Sequence, residues 1–186
     1  EQGRPVLQQL KKQFPGYKIV LTFFSPSGYQ QGFKEPAADH VFYLPIDSAG
    51  NAHKFLKIVN PAFAVFVKYD FWFHYLTALA KNGVPFFFIS SLFRADQYFF
   101  KWYGKSFLKK LKQASHYFVQ DENSKKLLTS NGIKNVTVTG DTRFDRVRQL
   151  PALPFEDEKI RTFTQDHFVI VGGSTWPKDE KLLLDY

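Results

Sequence analysis

Short apolar runs alternate with amphipathic segments along most of this chain. The apolar runs predict strands buried on both faces, because they contain few polar positions and are bounded by Gly, Pro, Asn or Ser. They cover residues 18–24, 41–44, 62–67, 85–89, 116–119 and 136–139. The intervening segments carry apolar residues three and four positions apart, which predicts helices. These cover residues 4–14, 51–59, 70–81, 95–114, 121–130 and 142–150.

The regular alternation of strand and helix predicts an α/β fold with a parallel sheet and helices on both faces. Because the pattern opens on a helix, we expect a first strand ahead of residue 1. A later apolar run at 168–171, followed by a helical segment, predicts the first βα unit of a second domain. Prolines and an acidic run indicate a linker between the two. The predicted organisation is a domain over residues 1–150, a linker over 151–166 and the start of a second domain over 167–186.

Composition limits the class of protein. The 186 residues are 44% hydrophobic and 18% aromatic, which excludes disorder, and the 22 Phe predict an aromatic core. The absence of Cys excludes disulfides, thiolate zinc sites and a Cys nucleophile. No apolar run is long enough to span a bilayer. The absence of Met, even at position 1, indicates that the chain begins inside a longer protein and leaves room for a targeting segment removed upstream.

The positive charge is unevenly distributed. Residues 1–150 hold 21 Lys and Arg against 10 Asp and Glu, a net charge of +11, whereas residues 151–186 hold 4 against 7, a net charge of −3. Such a field around the first domain favours anionic partners, which include phosphates, nucleic acid and acidic lipid.

Candidate chemistry lies where predicted strands end, since open α/β sheets bind ligands at that edge. Arg143 stands in a turn, GDTRFDR, that follows the strand at 136–139. A cation in the first helical turn interacts unfavourably with the helix dipole, so its presence there needs another explanation. Binding a phosphate or a carboxylate is one such role, and pairing with Asp141 or Asp145 at the surface is the alternative.

Three further turns that follow predicted strands are also candidates for ligand binding. Lys68 and Asp70 follow the strand at 62–67; Lys68 is predicted to point toward the crevice, and the alternative for Asp70 is a helix N-cap. A hydroxyl-rich turn follows the strand at 18–24 and can hold an anion or a sugar, or simply cap a helix. A Gly-Gly-Ser-Thr turn at 172–175 presents the same two alternatives, and it matches neither a Walker loop nor a dinucleotide fingerprint.

Metal chemistry is not predicted. The five His are scattered, and none is paired at ligand spacing with a carboxylate partner. No Asp-x-Asp occurs, which argues against a sugar-nucleotide site built on carboxylate-bound Mg²⁺.

The aromatic and basic stretch at 98–112 fits a membrane surface, a phosphorylated lipid or nucleic acid, and equally a core helix with a solvated Lys face.

Taken in order, five segments resemble the 3-deoxy-D-manno-octulosonic acid (Kdo) transferases of lipopolysaccharide synthesis. That family carries a Thr-rich turn ending in Pro-x-Gly, then YLPxD, ExELW, TGxxKFD and STHxGEE. The corresponding segments here are LTFFSPSG at 21–28, YLPID at 43–47, KYDFW at 68–72, TGDTRFD at 139–145 and STWPKDE at 174–180. The resemblance spans almost the whole chain and less than half of a full family member.

The resemblance implies a GT-B architecture, with two Rossmann-like domains facing a cleft. The N-terminal domain would bind a phosphorylated lipid A precursor such as lipid IVA, and the C-terminal domain CMP-Kdo. The implied reaction is an inverting sugar transfer without metal or other cofactor, at the cytoplasmic face of the bacterial inner membrane. No nucleic acid partner is expected. A fragment of this length is expected to be inactive by itself.

The family also implies roles for individual residues. Its general base is a Glu in a Ser-x-Gly-Glu motif, which is expected just upstream of Glu1. Arg143 matches a Lys that stabilises the transition state, with the charge retained. Lys68 stands where many members have a Glu, which shifts part of that role toward Asp70. Trp176 replaces a His of the last motif.

We accordingly assign catalysis to Arg143, Lys68 and Asp70. Acceptor binding is assigned to Thr22, Ser25, Ser27 and Gly28, and donor binding to Ser174 and Thr175. Two alternatives stay open: another GT-B enzyme, such as a different glycosyltransferase or a nucleotide-sugar epimerase, and a non-catalytic module that binds anionic lipid or nucleic acid.

Overall fold

The computed structural model describes residues 2–32, 34–144, 157–166 and 168–184. These form two compact units, residues 1–150 and residues 151–186, and each unit is described by itself. Among the described residues, no helix has both the length and the apolar character that crossing a bilayer requires.

Six strands are described in the first unit, and every pairing between them is parallel. The strands are β1 Val20–Phe23, β2 His40–Tyr43, β3 Ala64–Val67, β4 Phe86–Ser91, β5 His116–Val119 and β6 Val136–Val138. They form a two-stranded sheet, β1-β2, and a four-stranded sheet in the order β3-β4-β5-β6. The predicted α/β class is therefore confirmed, while the single predicted sheet is divided in two in the part of the chain described.

In the described part of the first unit, six helices separate or precede these strands: α1 Arg4–Gln13, α2 Pro26–Gly32, α3 Ala49–Val59, α4 Phe73–Lys81, α5 Lys105–Leu111 and α6 Glu122–Ser130. Local chemistry sets several of their ends. Ser48 caps α3 by accepting from the Asn51 N–H, and Asp121 caps α6 by accepting from the Ser124 N–H. Asn60 ends α3 in the left-handed conformation, directly before Pro61.

The predicted long helix over 95–114 is wrong. Two 3₁₀ turns, Tyr98–Phe100 and Trp102–Gly104, precede the short helix α5. Gly104 explains the break, because a Cβ atom there would lie 2.1 Å from the carbonyl oxygen of Tyr98. The chain folds back on itself at a point where only glycine fits. The fold-back buries Phe99 and Phe107, whose rings stack with centroids 5.7 Å apart.

The core lies around β4 and β5 and is aromatic, as predicted from the Phe content. The ring of Phe88 is fully buried and stacks on Tyr117 at 4.9 Å and on Phe66 at 5.3 Å between centroids. Burying each such side chain contributes about 1.5–3 kcal/mol. The Tyr117 hydroxyl donates to the carbonyl oxygen of Leu111 at 2.7 Å, so its polar end is satisfied inside the core.

The described residues of the second unit include two helices, α7 Glu158–Thr164 and α8 Pro177–Leu184. Residues 168–176 lie in neither helix nor strand, so the strand predicted over 168–171 is not found. Phe168 is 94% and Val171 84% exposed. An apolar run forms a strand only beside a partner strand, and no other strand is described within this unit.

Candidate active site

The predicted residues of the first unit lie at the ends of β1, β3 and β6. The strands of a parallel sheet present their carboxyl ends at the same edge, where ligands bind. β3 and β6 belong to one sheet but are separated in it by β4 and β5, and β1 belongs to the other sheet. Three turns are involved: residues 24–28 after β1, residues 68–72 after β3 and residues 139–143 after β6.

The turn after β6 is tied to two distant segments. Gly140 adopts a left-handed conformation with φ 80°, which reverses the chain sharply. The Thr142 hydroxyl donates to the carbonyl oxygen of Gln2 at 2.6 Å, and the Gln2 side-chain amide donates to Asp141 at 3.2 Å. The Thr142 N–H donates to the Ser90 hydroxyl at 3.4 Å. The start of α1, the end of β4 and the turn after β6 therefore meet at one place.

Arg143 is held by Asp141. Its Nη2 and Nε donate to Oδ2 of Asp141 at 2.6 and 2.9 Å, and its backbone N–H donates to Oδ1 at 2.9 Å. The guanidinium lowers the pKa of the Asp141 carboxyl to about 2. The pairing named as the alternative to anion binding is thus present. It leaves the Arg143 side chain 58% exposed. Asp145 and the rest of the predicted helix over 142–150 lie outside the described residues.

Two residues at the ends of the neighbouring strands β3 and β4 have left-handed backbone conformations that side chains seldom adopt. Lys68, after β3, has φ 58°, and Ser90, at the end of the neighbouring β4, has φ 50°. Each costs on the order of 1–3 kcal/mol, and such residues concentrate at ligand sites. Lys68 is half-buried, and its Nζ lies 5.2 Å from the centre of the Tyr69 ring. Ser90 was not predicted, since nothing local in the sequence distinguishes it.

Asp70 does not cap the following helix, so the capping alternative is wrong. Helix α4 begins only at Phe73, and the N–H groups of His74 and Tyr75 donate instead to the Asp47 carboxylate at 3.0–3.2 Å. Asp47 comes from the loop after β2. The surrounding protein raises the pKa of the Asp70 carboxyl to about 6, although the residue keeps part of its surface in solvent. A backbone hydrogen bond from Val67 offsets part of this rise. A carboxyl with a pKa near neutrality at a strand edge is a candidate for chemistry.

The turn after β1 shows the capping alternative. The Ser25 hydroxyl accepts from the Gly28 N–H at 3.1 Å and lies 3.5 Å from the Ser27 hydroxyl. Thr22 is half-buried within β1. The ring of Phe24 contacts Trp72 with centroids 4.8 Å apart, which brings this turn beside the one that holds Lys68 and Asp70.

Ser174 and Thr175 belong to the second unit, where they precede α8. The Thr175 hydroxyl donates to Glu180 at 3.0 Å, and the Trp176 N–H donates to Asp179 at 3.0 Å. Both bonds end on side chains of α8, so neither is the predicted capping of a helix N–H by the hydroxyl of Ser174 or Thr175. Ser174 has a left-handed backbone with φ 58°.

Within the described residues, no three side chains of His, Cys, Asp or Glu come together as a metal site. Besides Ser90, two residues that help to build this site, Gln2 and Asp47, were not predicted from the sequence. Gln2 carries no motif, because its role depends on a hydrogen bond to a residue 139 positions away. Asp47 lies in the YLPID segment and could have been suspected from that resemblance.

Comparison with known proteins decides the family. The family model for 3-deoxy-D-manno-octulosonic-acid transferases (kdotransferases) matches residues 1–146. The chain belongs to the Kdo transferase family. This match covers every predicted site residue of the first unit and leaves Ser174 and Thr175 outside it.

Several curated Kdo transferases are similar across most of the chain. The protein of Haemophilus influenzae is 24% identical over 97% of this chain and 43% of its own length. The protein of Chlamydia trachomatis serovar A is 27% identical over 94% of this chain and 42% of its own length. The protein of Rickettsia felis is 25% identical over 96% of this chain and 39% of its own length. The chain thus spans about two fifths of the length of these Kdo transferases.

Solved structures show the same fold in proteins of another name. UDP-GlcNAc 2-epimerase from Neisseria meningitidis superposes with a TM-score of 0.58 at 18% identity, covering 79% of this chain and 45% of that one. A Listeria monocytogenes structure titled as a UDP-N-acetylglucosamine 2-epimerase gives a TM-score of 0.60 at 12% identity, covering 87% and 47%. At such identities the likeness of this Kdo transferase chain to the epimerases is one of fold.

Proposed function

We propose that this chain forms the acceptor side of a GT-B enzyme that transfers Kdo from CMP-Kdo to a phosphorylated lipid A precursor such as lipid IVA. Membership of the Kdo transferase family supports the transferred sugar. The observation that carries the rest is the meeting of Gln2, Ser90 and the Asp141–Arg143 pair at the strand edge that also holds Lys68. A phosphorylated acceptor fits the net charge of +11 over residues 1–150.

Arg143 stabilises the negative charge that develops on the departing CMP phosphate. Its guanidinium is oriented by Asp141, and a preoriented cation favours the transition state because it needs no reorganisation. Lys68 contributes a second positive charge at the same edge. The acceptor hydroxyl loses its proton to the Glu of the Ser-x-Gly-Glu motif expected ahead of Glu1, and attack from the opposite face inverts the anomeric centre. This scheme requires no metal.

Asp70 supplies a carboxylate beside Lys68. With a pKa of about 6 it is mostly ionised at neutral pH and able to orient Lys68 or an acceptor hydroxyl. Thr22, Ser25, Ser27 and Gly28 line the neighbouring turn, where hydroxyl and backbone N–H groups suit sugar and phosphate oxygens. Ser174 and Thr175 contribute to the donor side.

We place the enzyme at the cytoplasmic face of the inner membrane, where its lipid acceptor resides. Support comes from the aromatic and basic stretch, in which Trp102 is 82% and Tyr103 61% exposed. Lys101 and Lys105 flank them at the surface. Exposed Trp and Tyr among Lys residues are typical of surfaces that bind anionic membranes.

The test is Kdo transfer by the full-length enzyme from CMP-Kdo to lipid IVA. Arg143→Ala is expected to lower kcat about 100- to 1000-fold, as loss of one charge-stabilising group does, with little change in acceptor binding. Lys57→Ala is the matched control, because Lys57 is an exposed cation in the last turn of α3 and far along the chain from these turns. Unchanged turnover in Arg143→Ala would contradict the assignment and favour a pure binding module. Transfer of a different sugar in a donor screen would favour another GT-B enzyme.

A further inference from the structure

The start of α1 contacts the ends of two strands that the sheet itself keeps apart. In the four-stranded sheet, β4 and β5 lie between β3 and β6. A Cβ atom on Gly3 would lie 3.2 Å from the side chain of Val67, the last residue of β3. The preceding residue, Gln2, is hydrogen-bonded to Asp141 and Thr142 in the turn after β6. Two consecutive residues therefore connect the ends of strands that are not neighbours.

Gln2 contacts the turn after β6 at two points. Its side-chain amide donates to Oδ1 and Oδ2 of Asp141 at 3.2 and 3.3 Å. Its backbone carbonyl accepts from the Thr142 hydroxyl at 2.6 Å. Because the two contacts fall on consecutive residues of the turn, together they restrain a rotation that either contact alone would allow. The residue that follows this pair is Arg143.

Asp141 connects Gln2 to Arg143. Its side chain is only 9% exposed, and its carboxylate accepts from the Gln2 amide and from three N–H groups of Arg143. Arg143 is the main cause of the low pKa of Asp141, and the hydrogen bond from Gln2 adds to it. A carboxylate has about four lone-pair sites in one plane, so a donor that fixes this plane also fixes the direction from which the guanidinium binds.

Ser90 supports the same turn from the end of β4. Its hydroxyl accepts from the Thr142 N–H at 3.4 Å and lies 3.4 Å from the Thr142 hydroxyl. Gln120, after β5, donates from its side-chain amide to the Ser90 carbonyl at 2.9 Å and from its N–H to the Ser91 carbonyl at 2.9 Å. These bonds hold Ser90 in its left-handed conformation, which costs free energy and persists only where the surroundings maintain it.

We propose that Gln2 is a positioning residue for Arg143 and that Ser90 is a second support of the same turn. Gln2 holds Asp141 and Thr142 to the start of α1, and Asp141 then presents the Arg143 guanidinium in a fixed direction. The proposal rests on the proposed role of Arg143 in Kdo transfer. In this role Gln2 needs no contact with either substrate, since it acts through Arg143.

Positioning of this kind predicts which kinetic constant changes. A cation that is already oriented stabilises the developing charge without reorganisation, so loss of its support affects the transition state and not substrate binding. Gln2→Ala is expected to lower kcat about tenfold, as loss of a hydrogen bond to a charged group does. The KM values for donor and acceptor are expected to stay within about twofold of the wild type.

Gln2→Glu has a pH dependence that a merely structural contact would not produce. It places a second carboxyl, of nearly the same shape as the amide, beside the Asp141 carboxylate that Arg143 keeps ionised. Two carboxyls this close share a proton and give it up only at higher pH than an isolated carboxyl. The ratio of the variant's kcat to that of the wild type should therefore be near one at about pH 5.5 and fall to about a tenth at about pH 8.5.

Kdo transfer from CMP-Kdo to lipid IVA by the full-length enzyme measures this ratio across the pH range. Gln9→Glu is the matched control, because it introduces the same charge at an exposed position of α1 and should follow the wild-type profile. Recovery of the same Gln2→Glu preparation at low pH excludes unfolding as the cause of its loss. A ratio that does not change with pH, or a loss confined to KM, would overturn the positioning role.

Arg143→Ala separates this proposal from the proposed function. If turnover is lost in Arg143→Ala and kept in Gln2→Glu at every pH, only the positioning role is overturned. If turnover is kept in Arg143→Ala, the proposed function is overturned and the positioning role with it. A double-mutant cycle gives a second measurement: Gln2→Ala added to Arg143→Ala should lower kcat by less than about twofold, because its effect passes through the guanidinium. Additive losses would mean that Gln2 acts on another group.

Ser90 is tested by comparison with its neighbour. Ser90→Ala removes the acceptor for the Thr142 N–H and is expected to lower kcat about threefold, less than Gln2→Ala because its hydrogen bond is longer. Ser91 is also buried, but its hydroxyl lies 3.4 Å from the Ile89 carbonyl and does not contact the turn. Ser91→Ala should therefore keep the wild-type kcat. Equal losses in the two serine variants would overturn the assignment of Ser90 as a support.

Discussion

Asp70 and Asp141 are two carboxyls at the same strand edge whose pKa values move in opposite directions. Surrounding protein raises the pKa of Asp70 to about 6, because it disfavours the charged form. The Arg143 guanidinium lowers the pKa of Asp141 to about 2, because it favours the charged form. Environments that separate two carboxyls in this way assign them different roles. Asp141 is a permanent anion that orients Arg143, and Asp70 is a group that titrates in the range where enzymes work.

The Asp70 shift predicts a stability effect of known sign. Since the folded pKa lies above the ordinary value of 3.8, ionising Asp70 opposes folding, and its cost grows as pH rises from about 4 through about 6. Asp70→Asn is therefore expected to be more stable than the wild type at pH 7.5 and nearly equal to it at pH 4. Urea unfolding at the two pH values measures the difference.

Asp141→Asn is the matched control, with the opposite sign. Its carboxylate stabilises the folded state above pH 3.8 and loses that effect as pH falls toward 2. The variant is expected to be less stable than the wild type at pH 7.5. A gain of stability on Asp141→Asn, or none on Asp70→Asn, would contradict these pKa directions.

At the level of elements, the loop after β2 leads into α3 but caps the start of a different helix, α4. Asp47, after β2, accepts from the N–H groups of His74 and Tyr75 in the first turn of α4. The Tyr75 hydroxyl donates in return to the Pro45 carbonyl at 3.0 Å, and burial followed by the Asp47 charge raises its pKa to about 12. The YLPID segment therefore joins the end of the two-stranded sheet to the helix that follows β3.

We expect Asp47→Ala to lower the free energy of unfolding by about 1–2 kcal/mol, since it removes the acceptor for two helix N–H groups. Asp47→Asn retains an acceptor oxygen and should restore part of the loss. Ser48→Ala, which removes only the local cap of α3, is the matched comparison at about 1 kcal/mol. Chemical denaturation measures all three. Equal stability of Asp47→Ala and the wild type would show that the contact is dispensable.

Alanine substitutions at two glycines test why the predicted helix over 95–114 is interrupted at Gly104. Gly104→Ala brings a Cβ onto the Tyr98 carbonyl, and overpacking of this kind costs about 1–3 kcal/mol. Gly50→Ala, in the first turn of α3, meets no atom within 4 Å and is expected to add about 0.5–1 kcal/mol of stability. The thermal midpoint should move down in the first variant and up in the second. A higher thermal midpoint for Gly104→Ala would show that the close approach at Gly104 is not what breaks the helix.

For the molecule as a whole, charge and exposed aromatics support the proposal that the first unit meets an anionic lipid. The net charge is +11 over residues 1–150 and −3 over residues 151–186. Trp102 is 82% exposed in the first unit, and Trp176 is 75% exposed in the second. Similar exposure with different surroundings makes the two tryptophans a natural pair for comparison.

Brominated lipids quench tryptophans that enter the acyl region of a bilayer. In full-length protein bound to vesicles containing anionic lipid, a variant that keeps Trp102 alone is expected to be quenched. A variant that keeps Trp176 alone should be quenched far less. Equal quenching, or none for Trp102, would place the membrane contact elsewhere. Raising the salt concentration should weaken vesicle binding, because basic residues supply part of the attraction.

The sequence predicted the positions of the strands better than the contacts between residues far apart along the chain. The six strands fall where apolar runs predicted them, within a few residues, because continuous burial imposes an apolar composition. The Arg143–Asp141 pair was one of two predicted alternatives, since its partners are two residues apart. The role of Ser90 and the cap from Asp47 were not predicted. Each depends on segments far apart along the chain.

Local sequence patterns determined the α/β class, the order of strands and helices, and the family to which the chain belongs, because burial and turn chemistry act over a few neighbouring residues. Only the tertiary structure decided that Gln2 meets Asp141 across 139 positions, that Asp47 replaces Asp70 at the start of α4, and that the described strands form two sheets. Those outcomes depend on how whole elements pack, which no short stretch of sequence specifies.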